Sequence, residues 1–140
     1  MPEISLFASP SNEDVERALG YWPSLSGPLK PHVVSAFGDI FFQRTDGSIH
    51  RLDPLEGSVS VAASSIDQFN ELLDDKDWLE ANLMPDFLSV AAERGVTREP
   101  HQVFAFAPHP AFTGQLRIDQ LKPMDLPVWH MISSQLFVGD

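Results

Sequence analysis

The sequence predicts an α+β domain, a mostly antiparallel sheet of about four or five strands covered by three to five helices. Three observations carry this. Apolar runs and period-two alternation cluster in residues 33–62. Helical spacing takes over from Ser65 to Arg94. A further strand-like run, QVFAFA at 102–107, precedes a closing helical segment. The period of the apolar pattern therefore switches from two to 3.6 in blocks, and a turn signal early in the chain supplies the antiparallel pairing.

The chain is organised around residues 33–57, VVSAFGDIFFQRTDGSIHRLDPLEG. Residues 33–42 are almost continuously apolar, as in one strand buried on both faces. Asp46-Gly47 separates this run from residues 49–52 and predicts a hairpin, with a type I′ turn that needs positive φ at both central residues. Gly38 inside the first run marks a bulge or a close backbone approach. Residues 53–57 form a turn, and residues 58–62 alternate Ser and Val as a third strand.

Residues 1–32 read as a helical lead-in to a core of residues 33–140, one domain overall. Residues 1–11 are a loose approach to a short helix capped by Ser11 or Asn12, with Glu13, Asp14 and Glu16 near its positive end. Val15, Ala18 and Leu19 form its apolar side. Trp22 reads as the anchor that pins this helix to the core. Further on, Ser65 and Gln68 match a capping box opening a helix over 65–73, with Ile66, Phe69, Leu72 and Leu73 on one face. Asp74 or Asp75 caps the next helix. Pro85 cannot continue it, so residues 75–94 read as a kinked or broken helix ending at Gly95. QVFAFA reads as a two-sided central strand. Pro108-His109-Pro110 is a rigid loop, 112–114 a turn, 115–118 a short candidate strand and 119–123 a connection. Asp125 caps the last helix, with Val128, Trp129, Met131, Ile132 and Leu136 covering the sheet.

Composition narrows function. The chain of 140 residues has no cysteine, which excludes disulfides and thiolate metal sites and suits a reducing cytoplasm. Its start lacks the basic and apolar regions of a secretory signal. No apolar run approaches the ~20 residues of a membrane span. Twenty acidic residues against nine basic ones give a net charge of −11. That field repels nucleic acid and anionic lipid, and favours a basic partner or simple solubility.

Catalytic signals are sparse. His32, His50, His101, His109 and His130 are scattered without i, i+4 spacing, so neither a metal site nor a cofactor is expected. There is no G-x-S-x-G elbow, Walker loop or G-x-G-x-x-G. Asp39, inside an apolar run, is the most unusual carboxylate. It reads as a structural group bonding backbone donors at a bulge beside Gly38, or as the tuned base of a small hydrolase. Asp74, Asp75, Asp77, Glu80 and Asp86 crowd one stretch with Lys76 as the only base among them. They read as a solvated helix face or as a docking surface for a basic protein. The spacing is not that of an EF-hand.

The run SAFGDIFFQRTDGSIHRLDPLEGSV, the helix pair, the Q-V-F-x-F strand before a proline loop, and a closing helix with Ser-Gln-Leu resemble the C-terminal domain of Tdi-type immunity proteins over roughly residues 20–137. These proteins are partners of DNase effectors in bacterial type VI secretion, and the domain often follows a GAD-like domain, which the short N-terminal part predicts to be absent in complete form here. The resemblance implies a non-catalytic, cytoplasmic binding protein that neutralises a nuclease-type effector by occluding it, with no family active-site residues to carry over. The alternative is an accessory or regulatory binding module with a partner that is not a toxin.

Overall fold

The Asp46-Gly47 hairpin sits near the middle of a five-stranded antiparallel sheet in the computed structural model, which describes residues 5–137. The strands are β1 (Phe7–Ala8), β2 (Lys30–Ser35), β3 (Ile40–Gln43), β4 (Ile49–Asp53) and β5 (Ser58–Ala63), adjacent in chain order. Helix α1 (Asn12–Leu19) lies between β1 and β2, while α2 (Ile66–Leu73), α3 (Lys76–Asn82) and α4 (Pro85–Glu93) follow β5. A two-stranded ribbon pairs β6 (Gln102–Phe106) with β7 (Leu121–Asp125), separated by a single turn of α-helix, α5 (Pro110–Thr113), and a 3₁₀ turn at Ile118–Gln120. Helix α6 (Leu126–Phe137) closes the chain. Among the described residues no helix is long and apolar enough to cross a membrane.

Local chemistry sets most of the helix ends. Ser11 caps α1 by accepting from Asp14 N, worth about 1 kcal/mol. Ser65 caps α2 by accepting from Gln68 N, as the capping box predicts. The Gln68 carbonyl oxygen reaches back one residue further than expected and bonds Ser64. Asp75 caps α3 through Asp77 N and Trp78 N. The expected break falls at Met84, whose φ of 50° is the one left-handed non-glycine among the described residues, and Pro85 then opens α4.

The sheet is covered on both faces. One face, with Val34, Ile40, Phe42 and Leu52, packs on Val15, Ala18 and Trp22 and on Val103, Leu126 and Trp129. The other, with Phe41, Ile49 and Ala63, packs on Phe69 and Leu83. A third cluster joins Ala36 and Phe37 to Leu88, Ala91, Phe104, Phe106 and Leu121. Each fully buried Phe contributes about 2 kcal/mol.

Five expectations change. The run 33–42 is not one strand. A tight turn at residues 35–39 divides it into β2 and β3, with Gly38 at φ 91°. The Asp46-Gly47 turn is not type I′, because Gly47 alone has positive φ (91°). Gly47 N donates to Arg44 O and Arg44 N to Ser48 O, which is the three-residue loop ending in a glycine bulge. β6 is buried, yet it belongs to the ribbon and not to the centre of the main sheet. The strand placed at 115–118 lies instead at Leu121–Asp125, where Pro123 is tolerable because the ribbon has only one partner strand. Lead-in residues 7–8 form β1, a strand the sequence did not signal.

Helix α6 is also rotated from the face its apolar residues suggest. Val128 is 42% exposed, while His130, Ser133 and Ser134 face inward. Hydrogen bonding from Trp129 and His130 sets that rotation, and the two small serines let α6 approach its neighbours closely.

Candidate functional site

The unusual carboxylate lies at the β2–β3 turn. Ser35 N donates to Asp39 O and Gly38 N to Ser35 O, so residues 35–39 close the same three-residue loop as residues 44–48. The Asp39 side chain is 3% exposed. It accepts from Ser35 Oγ at 2.6 Å and from Arg51 Nε at 3.2 Å. Its partners are therefore two side chains, and not the backbone donors expected from the sequence. Burial pushes its carboxyl up to about 6 against the opposing attraction of Arg51. Arg51 continues to Asn82, donating to its side-chain and backbone oxygens at 3.1 and 3.0 Å, and so ties the sheet to the end of α3. A carboxyl enclosed and satisfied in this way holds the fold together, and has no open face from which to act on a substrate.

The carbonyls of the same turn are clamped from the other layer. Phe104 N donates to Ala36 O at 2.7 Å, and Trp129 Nε1 donates to Phe37 O at 3.0 Å. His130 Nε2 lies 2.7 Å from Gly38 O, while His130 Nδ1 accepts from Trp22 Nε1 at 2.9 Å. This pairing requires the neutral ring with its proton on Nε2. Burial lowers the His130 pKa to about 4. Trp22 is thus the anchor the sequence suggests, fixing α1 to α6. His109 is similarly enclosed, with Nε2 3.0 Å from Pro54 O and Nδ1 accepting from Ala111 N, and burial lowers its pKa. These histidine roles left no sequence signal, since both partners of each ring are distant or are backbone atoms. Among the described residues no three His, Asp or Glu side chains cluster in a way that could hold a metal ion.

The five acidic candidates occupy a different place. Asp74, Asp75, Asp77, Glu80 and Asp86 are all exposed along the α2–α3–α4 corner. Asp75 has a capping role, and Glu80 lies 3.9 Å from Lys76, a solvated pair of little energetic weight. The rest make no ion pair among the described residues. The corner therefore presents nearly uncompensated negative charge on three short helices, of which α2 and α3 have side-chain caps.

Surface depressions lie elsewhere. One, of about 390 Å³, is bounded by Phe7, Leu88, Val96, Arg98, Pro100 and Phe104. Arg98, in its lining, donates to Ser5 O, Phe7 O and Gln102 O. Its guanidinium is consumed by carbonyls that would otherwise lie open. Asp39, His109 and His130 do not line this groove.

The geometry therefore leaves the acidic corner exposed and holds Asp39, His109 and His130 in buried hydrogen bonds. No curated protein matches the chain. The family model described as T6SS immunity protein Tdi1, C-terminal, matches residues 63–137. The match takes in the α2–α4 corner, the β6–β7 ribbon and α6, and leaves out the earlier SAFGD run. It spans just over half the sequence, and the chain belongs to the T6SS immunity protein Tdi1 C-terminal family.

Proposed function

We propose that the protein acts in the cytoplasm as an immunity protein that neutralises a nuclease-type effector by occlusion. Family membership supports the immunity role. The observation that carries the mechanism is the exposed acidic corner at Asp74, Asp75, Asp77, Glu80 and Asp86. A nuclease needs a basic face to hold the phosphate backbone. An acidic surface docking there speeds encounter and excludes DNA, without any chemistry of its own.

The test is competition between sister cells. A strain lacking the gene is challenged by its parent, which fires type VI secretion, and chromosomal DNA integrity is followed. The deletion strain should lose its DNA, and the wild-type gene should restore protection. A variant with Lys at positions 74, 77, 80 and 86 and Asn at 75 should not restore it. Asn keeps the α3 cap, so the variant changes charge without removing a fold element. A folded variant that protects fully would remove the acidic corner from the mechanism. A deletion strain with no sensitivity would remove the immunity role and favour an accessory binding module.

A further inference from the structure

The two edges of the main sheet are finished differently. β1 is two residues long, and its outward side is closed: Arg98 donates to Phe7 O at 3.2 Å, and Ser9 N just beyond the strand donates to Pro100 O at 2.8 Å. β5 is six residues long and pairs only with β4. Among the described residues, no side chain or loop hydrogen-bonds its outward backbone. It carries no charge and no proline, and its one bulge, at Ala62 opposite the Ile49–His50 step, leaves Ser58–Val61 in regular register with β4. Val59 and Val61 are 39% and 65% exposed, on the face shared with Leu52 and His50. The regular stretch Ser58–Val61, alternating Ser and Val, is a template for one more strand.

Charge says which strand. Residues 56–75 contain five acidic side chains and no Lys, Arg or His. Glu56 flanks the start of β5, while exposed Asp67 and Glu71 lie on α2, which packs beside it. Pairing β5 with a second copy would bring two such acidic sets together. A cationic strand meets the opposite.

We infer that β5 accepts an extended segment of a cationic protein partner, alternating apolar and basic residues, as a sixth strand of the sheet. This rests on the reading of the chain as a binder of a basic protein, and it places part of the contact outside the acidic corner. The valines supply a shallow apolar track, the open backbone supplies the hydrogen bonds, and the flanking acids select the sign of the partner.

The test uses the whole chain, isotope-labelled, with a synthetic peptide of alternating Lys and Val at millimolar concentration. A peptide of alternating Glu and Val is the control. The cationic peptide should give saturable amide shifts and at least tenfold slower hydrogen exchange within Ser58–Ala63. The anionic peptide should give neither. A Val59→Lys/Val61→Lys variant, altered only at exposed positions, should keep its spectrum and lose at least tenfold in peptide affinity. The inference fails if 58–63 show no saturable response, if both peptides bind alike, or if the response is confined to 74–86. It also fails if the edge becomes protected with rising protein concentration alone, which would make a second copy the occupant. No effector enters this assay, so its failure leaves the sister-cell result standing, and failure of protection leaves the edge result standing.

Discussion

The chain makes the same turn twice and uses it for opposite purposes. Residues 35–39, Ser-Ala-Phe-Gly-Asp, and residues 44–48, Arg-Thr-Asp-Gly-Ser, close with the same pair of hydrogen bonds and a glycine at φ 91° in the same place. The second turn is solvated. A Cβ at Gly47 would meet nothing within 4 Å. The first is the point where three layers meet: its carbonyls are held by β6 and α6, and its Asp by Ser35 and Arg51. Backbone geometry alone does not make a turn important. What reaches its carbonyls does.

Gly38 and Gly47 separate these contributions. A Cβ at Gly38 would lie 2.6 Å from Trp129 Cδ1. Gly38→Ala therefore combines left-handed strain with overpacking against a clamped indole, an expected loss of about 4 kcal/mol. Gly47→Ala carries only the backbone strain, about 1 kcal/mol. Urea unfolding of the two variants reads the difference directly. Equal losses would mean that the packing of Trp129 yields easily, and that the two turns do not differ as argued.

The same contrast explains which parts of the fold were legible in the sequence. Asp-Gly between two apolar runs announces a turn because its flanks are polar and its place is open. Phe-Gly-Asp, in the same backbone, passes for a strand interior because burial has made its surroundings apolar. The capping box at Ser65, the break at Pro85 and the anchor at Trp22 were readable because each depends on local chemistry or on bulk. The rotation of α6 was not, because two long-range hydrogen bonds to a turn ninety-two residues away outweigh the count of apolar side chains. β7 was hidden by its Lys and Pro, which an edge of a small ribbon accepts. As for the candidate site, the acidic residues were visible as composition, but the contrast between the two sheet edges needed the partners of Arg98.

Acid titration sharpens the comparison further. Asp39 is raised from 3.8 to about 6, so the folded state binds its proton more tightly than the unfolded chain does. Its favourable contribution is full below pH 3.8 and is lost as pH rises through 6. His130 is lowered from 6.5 to about 4, and its contribution is full above pH 6.5 and lost as pH falls through 4. Between pH 4 and 6 the two contributions oppose each other. The wild-type protein should accordingly show a shallow stability profile across that window. Asp39→Asn should expose the histidine limb, with stability falling on acidification. His130→Gln should expose the opposite limb, with stability rising on acidification. Parallel profiles in the two variants would break the assignment.

The smallest effect belongs to the solvated turn. Asp46 accepts from Ser48 Oγ and Ser48 N, and these bonds hold its carboxyl below the usual range. Its contribution is therefore present above pH 3.8 and fades below it, the reverse of Asp39 at the matching turn. Asp46→Ala should cost less than Gly47→Ala near neutral pH and should flatten only the most acidic part of the profile. The two aspartates sit beside equivalent glycines, and differ in whether water reaches them. If Asp46→Ala instead shifted the profile between pH 4 and 6, the solvated turn would be coupled to the buried one through β3, and the two turns would have to be treated as a single titrating unit.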